Sequence, residues 1–120
     1  MRKIFITPNV KMFMDQADEK TKFKMNFMIA YLADNKNVLR EPYVRHISIP
    51  KYKELYELRI RTAKTMARAI FTVSGENIVL LYAFQKKCKR DNVKALECAY
   101  KMNITSEELT EVCLWENHHF

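Results

Sequence analysis

The sequence predicts an α+β fold in which two N-terminal helices pack on a small, twisted antiparallel sheet and further helices follow at the C-terminus. The spacing of apolar residues leads to this prediction. They recur at helical intervals before residue 35 and after residue 92, whereas three apolar runs between Leu55 and Phe84 have the spacing and turn signals of strands. The 120 residues suit one domain, 1–120, with a core but no spare length.

Three elements are expected in the first part of the chain. Residues 3–7 (KIFIT) form a short strand candidate. Val10, Phe13 and Ala17 then recur at the spacing of one helical face, and a polar interruption at residues 18–21 separates this helix from a second one. We expect this helix hairpin to pack on one face of the sheet. The apolar stripe expected on the second helix consists of Phe23, Phe27, Ala30 and Tyr31, with Met28 and Leu32 beside it.

The stretch 55–90 is predicted to contain a three-stranded antiparallel meander. Its first run, 55–61 (LYELRIR), alternates apolar and polar residues, as half-buried strands do. The second run, 67–73, also alternates, and the third, 78–84, is continuously apolar, which is typical of a central strand. Gly75, the only glycine of the chain, lies between the last two runs and indicates a hairpin, because glycine reaches positive φ without steric cost.

Helical spacing returns after the meander. A helix is expected over residues 93–102, with Asp91 or Asn92 as its cap. Its buried stripe is expected to consist of Val93, Leu96, Ala99 and Tyr100. Residues 103–120 then form an acidic C-terminal extension, which carries a capping-box pattern and is expected to be helical. It could cover part of the basic surface, or it could expose a solvated helix face. The apolar stripe expected on its helix consists of Leu109, Val112, Cys113 and Trp115.

Charge is distributed unevenly along the chain. The 21 basic and 14 acidic residues give a net charge of +7. All 21 basic residues precede Asn103 and four of the acidic residues follow it, so the body carries +11 and the extension −4. A strongly basic body favours a polyanionic partner such as nucleic acid, a membrane surface or an acidic protein. No apolar run approaches the length of a membrane span, and we expect a cytoplasmic protein without membrane attachment.

The sequence contains no motif for several common kinds of binding or catalytic site. Cys88, Cys98 and Cys113 are odd in number and widely spaced, so neither a zinc site nor a disulfide framework is expected. No glycine-rich loop is present to cradle a nucleotide, and no catalytic triad is visible. We therefore expect no metal and no cofactor. The chemistry that remains is that of arginine and lysine.

Basic residues stand at the polar positions of the predicted meander and at its exit. Metal-free RNA cleavage, in which the 2′-hydroxyl attacks the adjacent phosphate, needs groups that hold the backbone, take a proton and stabilise charge on the phosphorane. The arginine fork matches phosphate oxygens, and a lysine crowded by cations can act as a base. The candidate catalytic residues are Arg59, Arg61, Arg68 and Lys87, and the candidate RNA-binding residues are Lys64, Tyr82, Lys86, Lys89 and Arg90.

The order of motifs resembles the HigB-like branch of the RelE/ParE toxin superfamily, the phage-derived toxins of type II toxin–antitoxin systems. The resemblance covers about residues 10–102. It implies a RelE-like, microbial-RNase-like fold and an mRNA interferase, an endoribonuclease that cuts mRNA on the translating ribosome without a metal. It also implies a cognate antitoxin protein with a DNA-binding domain. The motifs are Glu41-Pro42-Tyr43-Val44, Leu55 to Arg59 (LYELR), Arg68, Ile78 to Leu81 and Phe84-Gln85-Lys86-Lys87.

The resemblance also implies roles for single residues. Arg59 and Arg61 match basic residues on the strand where RelE-type toxins place backbone and catalytic contacts. Arg68 matches the arginine thought to stabilise the transition state, and Lys87 stands where RelE has an arginine. Tyr82 lies near the position at which HigB members often carry a histidine, and it could replace that histidine or simply pack.

Other functions fit the same residues. Basic side chains can merely keep the open face of a one-sided sheet in water. A non-catalytic nucleic-acid-binding domain, or a toxin that has decayed, would bind polyanions without cutting them. ParE-type toxins of the same superfamily poison DNA gyrase but lack the arginine and lysine set, so the basic residues argue against a gyrase inhibitor.

Overall fold

The predicted meander forms the middle of a six-stranded mixed sheet in the computed structural model, which describes residues 2–34, 36–104 and 112–115. The described chain also contains three α-helices, so the α+β prediction is confirmed. The strand order is β2-β3-β4-β5-β1-β6. The elements are β1 (Lys3–Ile6), α1 (Pro8–Gln16), α2 (Glu19–Ala33), β2 (Val44–His46), a 3₁₀ turn (Pro50–Tyr52), β3 (Leu55–Arg61), β4 (Met66–Ser74), β5 (Asn77–Gln85), α3 (Lys89–Ile104) and β6 (Cys113–Leu114).

The side chains of the meander strands lie on the faces of the sheet that the sequence predicts. β3 pairs antiparallel with β4, and β4 with β5, with Gly75 at φ 60° in the turn between them. On β4, Ala67, Ala69 and Phe71 join the core cluster on one side of the sheet, while Ile70 joins a second cluster on the other side. The alternating pattern of β4 therefore predicts correctly which face of the sheet each of these side chains occupies.

A β-bulge on β5 changes the direction of its side chains. Ile70 pairs with Tyr82 but Phe71 pairs with Leu80, so Leu81 is the extra residue. Leu81 and Tyr82 consequently both belong to the second cluster, although they are adjacent in sequence. The bulge is the reason that Tyr82 points to the same side of the sheet as Ile70.

The sheet is mixed, and the expectation of a purely antiparallel sheet is wrong at the pair of β1 with β5. β1 pairs in parallel with β5, from Lys3 opposite Asn77 to Ile6 opposite Leu80. A parallel pair needs a long crossover connection, and the two helices and three strands between β1 and β5 supply one. Ile4 and Ile6 thereby enter the same core as Leu80.

Helices α1 and α2 lie on one face of the sheet, where Val10 and Met14 of α1 enter the core. The Asp18 side chain caps α2 by accepting a hydrogen bond from the Thr21 backbone N–H at 2.7 Å. The predicted stripe of α2 is wrong at Phe23 and Phe27, which are 61% and 53% exposed, whereas Tyr31 packs partly buried against the core. The residues of α2 that are buried are Thr21, Met25, Met28, Ile29, Leu32 and Ala33.

Helix α3 covers the opposite face of the sheet. Its Ala95, Leu96 and Ala99 pack in the second cluster with Ile70 and Leu81. The helix begins at Lys89, earlier than predicted, and Val93, expected to be buried, is 62% exposed. Asp91 lies inside the first turn, where its carboxylate accepts hydrogen bonds from the Lys87 and Cys88 backbone N–H groups at 2.7 and 2.9 Å.

The C-terminal extension includes a strand where a helix was predicted. Cys113 and Leu114 form β6, which pairs antiparallel with the outer edge of β1. Trp115 continues this contact, because its backbone N–H donates to Ile4 O at 2.8 Å and its indole donates to Asn26 Oδ1 at 3.1 Å. An unpaired strand edge offers main-chain partners that a helix at this place would leave unused. The capping box and Leu109 lie outside the described residues.

A surface cluster ties the 3₁₀ turn to α3 on the side of the second cluster. The Tyr52 hydroxyl donates to the Glu97 carboxylate, and Lys51 Nζ lies 3.0 Å from the same oxygen. The Tyr52 hydrogen bond, followed by that of Lys51, holds the pKa of Glu97 below its ordinary value. Lys51 also stands 5.0 Å from the centre of the Tyr100 ring.

Glu97→Gln should remove a stabilising contribution that depends on pH. Because the pKa of Glu97 is lower in the folded state, its contribution is present above the ordinary value of 4.5 and is lost as pH falls through the folded pKa. Chemical unfolding followed near neutral pH and near pH 3 should show the variant less stable than wild type only at the higher pH. Glu54→Gln is the matched control, since Glu54 makes no ion pair with a described residue. A difference independent of pH would contradict the assignment.

Candidate active site

Strands β3 and β4 bring the predicted arginines together on the face that α3 partly covers. Glu57, Arg59 and Arg61 follow at alternate positions of β3, on the same side as Leu55 of the second cluster. Arg59 is directly opposite Arg68 in the β3–β4 register. Side chains at directly paired positions of an antiparallel sheet lie in contact range, so the register forces the two guanidinium groups into one place.

The Glu57 carboxylate is the counter-charge of this cluster. Its Oε1 lies 3.2 Å from Arg68 Nε and 3.5 Å from Arg59 Nε. Glu57 is 3% exposed and Arg68 4%, so this pair is buried inside the protein. On the outer side, Arg59 Nη2 reaches Glu41 Oε1 at 3.7 Å. One buried carboxylate thus compensates two neighbouring cations that would otherwise repel each other.

Glu57 was not predicted as a functional residue. The sequence marked it only as a polar position of an alternating strand. A signal was available nevertheless, because Glu57 has the same parity as Arg59 and Arg61 and must share their face. A lone carboxylate among basic residues on one strand face is a specific arrangement, whereas arginines alone occur on many sheets.

The donors of the two arginines face Glu57 but are poorly aligned with it. The Nε–H groups of Arg59 and Arg68 are buried, and each lies 3.5 Å or less from Glu57 Oε1 without the geometry of a good hydrogen bond. Arg68 Nη1 donates to the Ala67 carbonyl at 3.2 Å. Buried donors with poor hydrogen-bond geometry are uncommon, so this part of the sheet is a candidate site for a ligand with acceptor oxygens.

Burial has an electrostatic consequence for Arg68. Removal from water lowers its pKa, the neighbouring Arg59 and Arg61 lower it further, and Glu57 opposes these effects. The ordinary pKa of arginine is so far above neutrality that the guanidinium remains charged. Arg68 is therefore a fixed cation whose charge is only weakly screened by solvent.

Lys87 and the other predicted basic residues surround the exit of β5. Lys86 is half-buried, and its backbone N–H extends the pairing of β4 and β5 by donating to Met66 O at 2.7 Å. In the part of the chain that the structure describes, no contact joins the Lys87 side chain to Glu57 or Arg68. The side chains that are exposed to solvent at this end of the sheet are those of Arg61, Lys64, Lys87, Lys89 and Arg90.

Tyr82 lies two strands away from Glu57 in the same row, because Ile70 pairs with both. Its ring is half-buried, 6.1 Å from that of Phe84 between centroids. Burial, with a smaller effect of Cys98, raises the pKa of Tyr82 above its ordinary value of 10. The phenol is therefore protonated at neutral pH.

No three His, Cys, Asp or Glu side chains of the described residues stand close enough to hold a metal ion. None of the described helices has the length and apolar character to cross a membrane.

The fold and the site define a small basic α+β protein with a cluster of arginines around a buried carboxylate on its sheet. The chain belongs to the family described as phage derived protein Gp49-like (DUF891), whose sequence model matches residues 12–103. This family is part of the toxin group of toxin–antitoxin systems, so the predicted relation to phage-derived toxins is confirmed at that level. The matched range contains every predicted site residue. No curated protein and no solved structure matches the chain significantly.

Proposed function

We propose that this protein is the toxin of a type II toxin–antitoxin system, of the HigB-like, RelE type, and acts as a ribosome-dependent mRNA endoribonuclease that inhibits translation. Family membership supports the toxin role. The observation that most supports the proposed nuclease activity is the buried Glu57 carboxylate between Arg59 and Arg68. Helices α1 and α2 on one face and the arginine cluster on the other support the RelE-like, microbial-RNase-like arrangement.

The first role in this mechanism is that of the arginines. A phosphodiester that enters the site is held by the guanidinium groups of Arg59 and Arg68. As the 2′-oxygen attacks, charge accumulates on the phosphorane oxygens. Fixed cations and donors in a partly water-excluded site stabilise that charge much more than they would in water. Arg61, exposed at the rim, is placed to hold the adjacent phosphate.

The second role is proton transfer. Binding of the phosphate by Arg59 and Arg68 opens the buried cluster, and the Glu57 carboxylate then takes the proton of the 2′-hydroxyl while the bond between the 2′-oxygen and phosphorus forms. The bond from phosphorus to the 5′-oxygen then breaks, and the leaving oxygen takes up a proton. Tyr82, protonated at neutral pH, and Lys87 are the two groups that we propose for this proton. These steps require no metal ion and no cofactor.

The proposed partners follow from the same proposal. They are mRNA on the ribosome in the cytoplasm and a cognate antitoxin with a DNA-binding domain. The basic residues, all of which precede Asn103, favour an antitoxin with an acidic segment that covers the arginine cluster. Such a segment would block access of RNA to Arg59 and Arg68.

Induced expression in bacteria, combined with mapping of 5′ ends on mRNA, tests this function. We expect growth arrest and new ends in frame with the codons, and purified protein should cut mRNA only when ribosomes are present. Normal growth with intact mRNA would contradict the nuclease and leave a non-catalytic or decayed toxin. Arrest with intact mRNA would point to DNA gyrase, the target of ParE-type toxins.

A further inference from the structure

A cavity on the other face of the sheet is not used by the proposed chemistry. It has a volume of about 390 Å³ and lies between the junction of α1 with α2 and the ends of β4 and β5. This volume is within the range of sites that bind small ligands. Its lining includes Phe13, Gln16, Asp18, Thr21, Thr65 and Gln85.

We propose that this cavity binds an unstacked nucleobase of the RNA strand, close to the phosphate that is cut, and so determines the base preference of cleavage. The inference rests on the proposed nuclease function. Sequence-specific proteins read single-stranded RNA by stacking splayed bases on aromatic rings and by hydrogen bonding to their edges. The cavity contains both kinds of group.

The hydrogen-bonding groups are the side-chain amides of Gln16 and Gln85. Neither amide makes a hydrogen bond to any described residue, although each has two donor hydrogens and an acceptor oxygen. A glutamine amide matches the paired donor and acceptor on the edge of adenine, and it can read other bases singly. The two glutamines line one cavity and are exposed, so a base that enters the cavity can replace the water on both amides with its own donors and acceptors.

The stacking group is Phe13. Its ring packs partly against the core and is otherwise open to the cavity that it lines. No other described aromatic ring contacts it. An aromatic face that is fixed from behind is suited to stacking of a base, which contributes without regard to sequence.

The charge of the cavity favours a base over a phosphate. Asp18 is its only charged lining residue, and the Thr21 backbone hydrogen bond holds the pKa of Asp18 below its ordinary value. A carboxylate repels a phosphate but accepts hydrogen bonds from the exocyclic amino group of a base. The phosphate of the same nucleotide is therefore expected outside the cavity, among the basic residues.

The walls of the cavity are preformed by a chain of hydroxyl contacts. Thr21 Oγ1 lies 3.0 Å from Thr65 Oγ1, which lies 2.7 Å from Thr62 Oγ1. These bonds fix the β3–β4 loop to the start of α2. A site whose walls are already ordered loses less entropy when it binds a ligand.

Position links this cavity to the arginine cluster. Ala67 and Gln85, which line the cavity, are paired in the sheet and precede Arg68 and Lys86 in sequence. Consecutive strand residues point to opposite faces. The two sites therefore lie back to back at one end of the sheet, and an RNA strand that passes the exposed Lys87 can reach both.

Base preference measured for ribosome-bound mRNA tests the inference. Base frequencies would be read at each position near the mapped cuts of wild type and of the double variant Gln16→Ala, Gln85→Ala. We expect the discrimination at one position to fall about fivefold or more, while cutting continues. Asn77→Ala, which removes an exposed amide at the opposite end of β5, should leave the preference unchanged.

A binding measurement separates this inference from the nuclease proposal. Short single-stranded RNAs of each base would be bound to the full chain carrying Glu57→Gln, with and without the two glutamine substitutions. Base-selective binding that the substitutions abolish would support the cavity even if wild type cuts no RNA. Equal affinity for all four RNAs, or selectivity that survives the double variant, would overturn it. If the two glutamine substitutions instead weaken the binding of a protein partner and leave base selectivity unchanged, the inference is overturned as well.

Discussion

Replacing Glu57 with glutamine should abolish most of the cleavage while RNA binding is retained. Loss of a general base lowers the rate about 10²–10⁴-fold. The same change removes the negative charge that lies 3.2 Å from Arg68 and 3.5 Å from Arg59, so both guanidinium groups become more available to phosphate. Glu57→Gln also leaves the buried Arg68 without its carboxylate, which costs about 3 kcal/mol of unfolding free energy. We therefore expect the folded variant to bind RNA at least as tightly as wild type. Cleavage rate and affinity would be measured on the same ribosome-bound mRNA.

Cleavage rate and RNA affinity are expected to respond differently to Glu57→Gln, and this difference identifies the role of Glu57. Loss of folded protein would instead lower RNA binding together with cleavage. Glu41→Gln is the matched control, because Glu41 also pairs with Arg59, at 3.7 Å, but is exposed. We expect this control to cut at close to the wild-type rate. Wild-type cleavage by Glu57→Gln would restrict Glu57 to a structural role as counter-charge.

The part of the fold that local patterns determine was predictable. The alternation of β3 and β4 and the single glycine at φ 60° specify a meander, because side-chain period and turn chemistry act within a few residues. The same alternation put Arg59, Arg61 and Arg68 on one face. This much of the candidate site follows from sequence because register in a hairpin is set by its turn.

The features that depend on distant contacts were not predictable from patterns. β1 pairs with β5, 70 residues or more away along the chain, and no local signal specifies that partner. Helix α2 is apolar around most of its circumference, so its pattern did not decide which side is buried, and Phe27 is exposed. Glu57 was missed because its role depends on Arg68, a neighbour on another strand.

The cavity proposed to bind a base illustrates the same limit. Gln16 ends α1 and Gln85 ends β5, and neither position carries a motif. Only packing of the α1–α2 junction against β4 and β5 brings their amides to one cavity. Sites of this kind are visible from three-dimensional placement and not from spacing in the sequence.

Arg68→Ala should reduce both turnover and stability, and the two losses have different origins. Removing a fixed donor from the developing charge of the transition state costs about 10²–10³ in rate. The truncation also leaves Glu57, 3% exposed, with Arg59 as its remaining ion-pair partner. Breaking a buried pair in this way costs about 3 kcal/mol of unfolding free energy. Chemical unfolding and cleavage assays would measure the two effects separately.

Arg68→Lys separates the catalytic loss from the structural one. Lysine keeps the positive charge beside Glu57 but lacks the fork that binds two phosphate oxygens, so we expect most of the stability to return and most of the rate to remain lost. Arg40→Ala, which removes an exposed arginine outside the sheet, should change neither quantity appreciably. Full activity of Arg68→Lys would mean that charge alone is needed at this position. Full activity of Arg68→Ala would remove Arg68 from the mechanism, since a strand arginine that contacts the transition state cannot be dispensable.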